Sequence, residues 1–318
     1  MDEFEIISEI FASLAHDAGA FGLKDDAAAI PARPGFDLIV TTDQIAEGTD
    51  FFAFDPPAEI AQKALRVNLS DLAAKGAAPE FYLLALTLPQ GMTRDWISDF
   101  ASGLRADQAQ FGVSLLGGDT SAGEILSVAA TAFGFVPQGK MLKRSGARPG
   151  DAVYVTGNIG DSGGGLAIFR REKHCLSESQ RDHLTGRYRL PEPPVSFGPA
   201  LLDLASASVD VSDGLIADLG HVAQASGVRI AIEAERIPRS APLRAFWGDG
   251  IEAIIRAATA GDDYQIAFTA DPAREDQVRA AAKDVSVTRI GTVLAGQGVE
   301  LTHKGQPVSV AKPGYRHF

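Results

Sequence analysis

Six aspartates lie in or beside apolar or glycine-rich stretches of the chain, although a carboxylate that is merely solvated does not need such neighbours. They are Asp26, Asp43, Asp71, Asp119, Asp210 and Asp213. Carboxylates packed together repel one another unless a cation lies among them. Oxygen ligands without histidine or cysteine partners prefer Mg²⁺ or Ca²⁺ to zinc, and the lack of an EF-hand loop favours Mg²⁺ with a phosphorylated ligand. Aspartate is also a common turn and N-cap residue, so a structural role for each position stays open.

Two further segments have the residue types that bind phosphate. The GGDTSAG segment permits close approach of the backbone to a ligand, and GKMLKRSG supplies Lys140, Lys143 and Arg144. Asn68 and Asp71 are three residues apart on one predicted helix, so both side chains could enter one site. Ordinary loops, and satisfaction of local backbone groups by Asn68, are the alternatives.

The VTGNIGDSGGGL segment imitates a dinucleotide-binding fingerprint through Gly157, Gly160 and Gly163. It lacks the GxGxxG spacing and the acidic residue about twenty positions later, so we predict a helix N-terminus that packs closely through small residues. The chain has no GxxxxGK[ST], HExxH or CxxC motif. His221 is interpreted as a packed or surface residue.

Composition limits the class of protein. The 318 residues carry 29 lysines and arginines against 41 aspartates and glutamates, a formal charge of −12, which argues against binding of nucleic acid through bulk charge. The single cysteine, Cys175, has no internal disulfide partner. The acidic N-terminus does not resemble a secretory signal, and no apolar run approaches the roughly 18 to 20 residues that span a bilayer. We therefore expect a cytoplasmic protein that is not inserted in a membrane.

Hydrophobic periodicity predicts alternating helices and strands in both halves of the chain, which indicates α/β (α+β) architecture. The first half contains an amphipathic opening helix, an extended run at 36–42, and helices at about 57–75 and 94–110. The polar SGARPGD segment predicts a domain boundary, giving domains 1–145 and 146–318. After it, DAVYVTG, SVDV, VRIAIE and YQIAFTA are predicted strands.

Taken together, the motifs resemble those of the thiamine-monophosphate kinase family, which belongs to the superfamily of aminoimidazole ribonucleotide synthetase and selenophosphate synthetase. Nine segments occur in the same order as in that family, from about Leu23 to the last residue. They are KDDAAAI, TTDQIAEGTDF, KALRVNLSDLAAKGA, LLGGDTSAG, RSGARPGD, YVTGNIGDSGGGL, DVSDGLIADLGH, AGDDYQIAFT and GYRHF.

The resemblance implies a two-domain aminoimidazole ribonucleotide synthetase-like fold with mixed sheets flanked by helices, and a homodimer formed largely through the N-terminal domains. It also implies ATP- and Mg²⁺-dependent conversion of thiamine monophosphate to thiamine diphosphate, the last step of thiamine diphosphate biosynthesis. Several Mg²⁺ ions would be held by Asp26, Thr41, Thr42, Asp43, Asp71, Asp119, Asp210 and Asp213. ATP would contact Gly118, Asp119, Arg144 and Ser212, and thiamine phosphate would contact Asp262 and Tyr315.

Three positions depart from the family pattern. The family often has glycine where Lys24 stands, histidine where Asp50 stands and glutamate where Asp262 stands. The histidine at the position of Asp50 would contact substrate, whereas a carboxylate repels phosphate, so we expect Asp50 to tune substrate affinity rather than the chemistry. The lack of an activated nucleophile predicts direct in-line transfer without a phosphoenzyme.

Three other functions stay open at this point. A sister synthetase would keep the fold and change the acceptor, and selenophosphate synthetases use an N-terminal cysteine that this chain lacks. A magnesium-dependent nucleotide-binding protein without turnover would use the same residues. The last alternative is a dinucleotide-dependent dehydrogenase, which binding of NAD in the absence of magnesium would support.

Overall fold

The structure is a computed structural model that describes residues 3–173 and 175–315. Contacts divide the chain into two compact units. Unit 1 contains the residues up to Leu72 and the segment Ala77–Lys140, and unit 2 contains Ala73–Gly76 and the residues from Met141 onward. The boundary at residues 145 and 146 stays a prediction, and Arg144 belongs to unit 2 by its contacts.

Unit 1 is built on a four-stranded mixed sheet. Its elements are α1 (Glu3–Glu9), β1 (Phe36–Ala46), α2 (Pro57–Ala74), β2 (Ala78–Pro89), α3 (Arg94–Phe111), β3 (Ser114–Gly123) and β4 (Ser127–Pro137). The strand order is β1-β4-β2-β3, so β1 and β3 are the edge strands. Only β2 and β3 run parallel. Their direct crossover is α3, which Thr93 caps at its start and Gly112, at φ 69°, ends.

Hydrogen bonds and an ion pair hold α2 and α3 to each other and to the sheet. Arg66 on α2 and Asp107 on α3 form a buried bidentate pair. Arg66 Nε donates to Asp107 Oδ2 at 2.8 Å, and Arg66 Nη2 donates to Asp107 Oδ1 at 2.7 Å. Gln108 donates to the Tyr82 hydroxyl at 3.1 Å, which joins α3 to β2. These contacts fix the face of α2 that carries Asn68 and Asp71.

Unit 2 contains a seven-stranded mixed sheet. Its elements are β5 (Ala152–Thr156), α4 (Asp161–Phe169), α5 (Glu178–Arg189), β6 (Ala205–Asp210), α6 (Leu215–Ser226), β7 (Arg229–Glu233), α7 (Ala241–Trp247), α8 (Ile251–Ala258), β8 (Ile266–Ala270), α9 (Glu275–Ala282), β9 (Val287–Leu294), β10 (Gly298–His303) and β11 (Gln306–Val308). The strand order is β11-β10-β7-β9-β5-β8-β6. β6 is therefore an edge strand, and the predicted site residues follow its C-terminal end.

Both faces of the central strands in unit 2 are buried. Val153 and Val155 of β5 join an apolar cluster with Leu219 of α6. Tyr154, whose side chain points to the other face, joins a second cluster with Val278 of α9. Strands covered on both faces read as continuous apolar runs, as in AVYVT and IAFTA. In the part of the chain that the structure describes, no helix has the length and apolarity needed to cross a membrane.

Candidate active site

A cluster of carboxylates in unit 1 forms where β1 meets α2. The Thr41 hydroxyl donates a short hydrogen bond to Asp71 Oδ2, and the Asp43 backbone N–H donates to Asn68 Oδ1 at 2.9 Å. Partial desolvation, followed by the negative charges of Asp71 and Asp50, raises the pKa of Asp43 to about 6, although its side chain is accessible to solvent. The structure thus brings Thr41, Asp43 and Asp71 together at a place that favours a cation.

Asp50 closes the turn that follows β1. Its Oδ2 accepts a hydrogen bond from the Ala46 N–H at 2.8 Å, and its backbone N–H donates to the Ala46 carbonyl at 3.0 Å. The buried Lys63 ammonium donates to the Asp50 carbonyl at 2.7 Å. One carboxylate oxygen of Asp50 therefore shapes the turn, while the charge acts on Asp43 nearby. A role of Asp50 in substrate affinity stays a prediction.

The side chain of Thr42 lies apart from this cluster. Thr42 is in register with Thr131 of β4; its hydroxyl donates to the Ala130 carbonyl at 3.1 Å and accepts from Thr131 Oγ1 at 3.0 Å. Successive residues of a strand point to opposite faces, so Thr42 points away from the face of Thr41 and Asp43. Asp26 lies in an exposed segment, where its backbone N–H donates to Asp25 Oδ1. Their roles as metal ligands stay predictions.

Gly118 and Asp119 lie on the opposite edge of the same sheet. Asp43 is in register with Ala130, Ala130 with Leu84, and Leu84 with Gly118. Three inter-strand spacings separate β1 from β3, or about 14 Å. Within unit 1, Asp43 and Asp119 therefore cannot bind one ion together.

The turn between β6 and α6 carries the predicted ligands Ser212 and Asp213 of unit 2. The backbone N–H groups of Ser212, Asp213 and Gly214 all donate to Asp218 Oδ2 at 3.1 Å. Asp218 is 2% exposed. Burial and the nearby Asp213 charge raise its pKa to about 7, and the three backbone hydrogen bonds counteract this rise.

The segment that carries Asp262 is bonded to this turn. The Asp262 N–H donates to the Ser212 carbonyl at 2.8 Å, and the Tyr264 N–H donates to the Val211 carbonyl at 2.8 Å. The Tyr264 hydroxyl donates to Asp262 Oδ1 at 3.2 Å. Asp262 and Tyr264 have φ values of 61° and 50°, which are unusual for residues with side chains and often mark functional sites.

Tyr315 is bonded to the same turn from another direction. Its N–H donates to the Asp213 carbonyl at 2.9 Å, and the residue is 46% exposed. A Cβ on the preceding Gly314 would lie 2.5 Å from the Asp213 carbonyl oxygen, so glycine is required for this approach. The structure therefore brings Ser212, Asp213, Asp262 and Tyr315 together. The end of the GYRHF motif, residues 316–318, lies outside the described residues.

Asp210 and Arg144 lie on or beside β6. Asp210 is the last residue of the strand, is buried, and is two residues from Ser212. The Ser208 N–H donates to the Lys143 carbonyl at 2.9 Å, and the Ser226 hydroxyl donates to the Arg144 carbonyl at 3.2 Å. The exposed Arg144 side chain therefore begins next to the edge strand that leads to the turn.

The glycine-rich start of α4 is a packing site, as predicted. A Cβ on Gly160 would lie 2.6 Å from the Ala257 Cβ, and one on Gly163 would lie 2.4 Å from the Ala260 Cβ. Asp263 is buried, and its Oδ2 accepts a hydrogen bond from the Gly160 N–H at 2.7 Å. Because a carboxylate of the protein already occupies this helix N-terminus, it does not offer a dinucleotide pyrophosphate site.

The donor atoms fit magnesium. In unit 1 they are carboxylate and hydroxyl oxygens. A carboxylate such as Asp43, whose pKa is raised by partial desolvation and then by neighbouring negative charges, is stabilised in its ionised form by a cation. In unit 2, one ligand atom each from Asp213, Asp218 and His221 lie within 4.8 Å of one another. Asp218 is committed to three backbone N–H groups, which leaves Asp213 as the available carboxylate of that group.

Comparisons with known proteins identify the family. Residues 24–136 match the AIR synthase related protein, N-terminal domain, and residues 148–304 match the C-terminal domain of the same family. The chain belongs to the AIR synthase related protein family. Within it, a thiamine-monophosphate kinase of Caulobacter vibrioides is 42% identical over 99% of this chain and 90% of that protein.

Solved structures agree with this assignment. A thiamine-monophosphate kinase from Stenotrophomonas maltophilia superposes with a TM-score of 0.86 at 38% identity, covering 97% of this chain and 98% of the other. AaThiL in complex with AMPPCP and TMP superposes with a TM-score of 0.80 at 31% identity, covering 99% and 97%. The predicted resemblance, the two-domain α/β fold and the kinase class are confirmed.

Sequence reasoning missed the two buried carboxylates, Asp218 and Asp263, that hold the site loops. Asp218 lies six residues after Ser212 in SDGLIAD, a spacing that allows a side chain on the first turn of a helix to cap the preceding loop. Asp263 stands directly beside Asp262 in the sequence, and no local pattern separates a carboxylate that caps a helix from one that faces substrate.

Proposed function

We propose that this chain uses ATP and Mg²⁺ to phosphorylate thiamine monophosphate to thiamine diphosphate, the last step in forming that cofactor. The contacts of the 212–214 turn with both Asp262 and Tyr315 support this proposal, because one short turn joins the predicted nucleotide side to the predicted thiamine side. The relatives named thiamine-monophosphate kinases and the AMPPCP and TMP complex of AaThiL support the same reaction.

The reaction proceeds by direct in-line transfer of the γ-phosphoryl group to the phosphate of thiamine monophosphate. Donor and acceptor are both anions, and the chain itself has a formal charge of −12. Magnesium bound by the aspartates supplies the positive charge that lets these anions approach. The chain's own residues orient the two substrates: Gly118, Asp119, Arg144 and Ser212 contact the nucleotide, and Asp262 and Tyr315 contact the thiamine phosphate.

The decisive experiment measures thiamine diphosphate and ADP from purified protein with ATP, Mg²⁺ and thiamine monophosphate. Thiamine and an aminoimidazole precursor serve as competing acceptors. We expect equal amounts of thiamine diphosphate and ADP, with formation abolished by EDTA and restored by excess Mg²⁺. Binding of ATP without product from any acceptor would refute the proposal, and so would a kinetically competent phosphorylated protein intermediate.

We also propose that the chain acts in the cytoplasm as a homodimer formed through unit 1. Phe36, Leu38 and Val40 alternate along the edge strand β1 and are 44%, 42% and 53% exposed. Apolar side chains on one face of an edge strand are an aggregation hazard unless another surface covers them. The occupant we propose is a second copy of this chain.

Placing a charge on this strand should separate the two copies. We expect Val40→Lys to convert a dimer to a monomer in sedimentation velocity experiments, because a lysine ammonium would be desolvated at the interface. Ile125→Lys is the matched control, since Ile125 is 55% exposed and lies between β3 and β4. An unchanged dimer in Val40→Lys would exclude this face, and a wild-type monomer would exclude the dimer.

A further inference from the structure

The 212–214 turn is a junction of three segments of unit 2. The Ser212 carbonyl accepts the Asp262 N–H, and the Asp213 carbonyl accepts the Tyr315 N–H. The amide groups of the turn point the other way, to the carboxylate of Asp218. A movement of this turn therefore moves the backbones that carry Asp262 and Tyr315.

The approaches to the turn leave no room for adjustment. A Cβ on Gly261 would lie 2.7 Å from the Ser212 carbonyl oxygen, and one on Gly314 would lie 2.5 Å from the Asp213 carbonyl oxygen and 2.6 Å from the Ala217 Cβ. Such distances are shorter than van der Waals contact, so both neighbouring segments touch the turn through bare backbone. The geometry transmits the position of the turn to both segments directly.

Asp218 is the side chain that fixes the turn. It is 2% exposed and lies on α6, a helix whose Leu219 and Val222 are fully buried in the core of unit 2. One of its oxygens accepts three consecutive backbone N–H groups, a geometry that satisfies donors which would otherwise be unpaired beside the core. The side chain thus connects the turn to a rigid element.

We propose that Asp218 is a positioning residue that fixes the 212–214 turn and thereby places the nucleotide-contacting Ser212 and the thiamine-contacting Asp262 and Tyr315 in register with one another. This inference rests on the proposed function, because that function assigns the two substrates to these residues. Asp218 acts through its hydrogen bonds to the turn and is not itself a ligand of either substrate.

The test compares Asp218→Ala with Asp218→Asn, since asparagine keeps an acceptor oxygen and loses only the charge. Calorimetry in the presence of Mg²⁺ gives Kd for a non-hydrolysable ATP analogue and for thiamine monophosphate, and circular dichroism gives the thermal midpoint. We expect Asp218→Ala to weaken both affinities at least tenfold and Asp218→Asn to stay within about threefold of wild type. Gln224→Ala, on the same helix α6 and exposed, is the matched control and should change neither affinity.

A second variant keeps the test decisive if Asp218→Ala does not fold. Gly314→Ala forces a methyl group against the Asp213 carbonyl oxygen and the Ala217 Cβ, so it displaces the turn from its other side while the Asp218 side chain is kept. Because the turn carries Ser212 and is bonded to Tyr315, we expect binding of thiamine monophosphate to weaken at least tenfold and binding of the ATP analogue about threefold. A loss confined to thiamine monophosphate, or no loss, would overturn the proposed coupling through the turn.

Two other outcomes would also overturn the inference. A folded Asp218→Ala with unchanged affinities would make Asp218 a residue of stability alone. An Asp218→Asn variant as impaired as Asp218→Ala at equal thermal stability would show that its charge, and not its hydrogen bonds, matters. Failure of the proposed function is recognised separately, because the wild-type protein would then neither bind nor convert thiamine monophosphate.

Discussion

Asp71→Asn should reduce kcat about 1,000-fold, equivalent to about 4 kcal/mol of transition-state stabilisation. Asp71 accepts the Thr41 hydroxyl, and its charge helps to raise the pKa of Asp43. The asparagine side chain has nearly the same size as that of aspartate. The substitution therefore removes the negative charge and one oxygen ligand while keeping the packing. The measurement is the rate of thiamine diphosphate formation at saturating ATP and thiamine monophosphate, repeated over a titration of Mg²⁺.

The same substitution should make the ligand-free protein more stable. Asp43 and Asp71 repel each other when no cation is bound, so loss of one charge relieves that repulsion. We therefore expect a higher thermal midpoint together with the lower rate, a combination that damage to the fold does not produce. Asp99→Asn, which removes an exposed carboxylate from α3, is the control and should leave both quantities unchanged.

A normal rate in Asp71→Asn would remove Asp71 from the proposed metal ligands. A lower rate with a lower thermal midpoint would instead assign it to the structure of α2. The two measurements together separate function from stability at this position.

Several elements could be predicted because their patterns are local. The helix at about 57–75 and that at 94–110 correspond to α2 and α3, whose periodicity and end residues are plain in the sequence. The buried strands AVYVT and IAFTA are short apolar runs next to turns. Helices such as α5 were not predicted: its residues, ESQRDHLTGRYR, are mostly polar, and packing of Leu184 and Tyr188 decides the structure.

The candidate site shows the same limit. The aspartates could be singled out because carboxylates beside apolar residues are unusual. The structure brings Asp43 and Asp71 together through hydrogen bonds between β1 and α2. The sequence could not predict that Asp119 lies about 14 Å across the sheet from Asp43, because strand order is a long-range property. It also could not show which face of β1 packs against α2, and therefore that Thr41 and not Thr42 joins Asp71, since that depends on which face is covered.

Gly118→Ala should destabilise unit 1 by about 3 kcal/mol and abolish nucleotide binding. A Cβ at this position would lie 1.8 Å from the carbonyl oxygen of Leu84, so β3 would have to separate from β2 just after the register shift between Tyr82 and Leu83. The Leu84 oxygen belongs to the backbone and the position of a Cβ is fixed by its own backbone, so no side-chain rotation relieves the overlap. Denaturant unfolding and calorimetry with an ATP analogue measure the two effects.

The adjacent residue supplies the control for this prediction. A Cβ on Gly117 would lie 3.5 Å from Leu83 Cδ2, an ordinary van der Waals contact, so Gly117→Ala should leave stability within about 0.5 kcal/mol of wild type. The two variants add the same methyl group to neighbouring positions of one strand and differ only in the atoms it meets. Equal stability and equal nucleotide affinity in both variants would refute the close approach of β3 to β2, and with it the reason for a glycine at position 118.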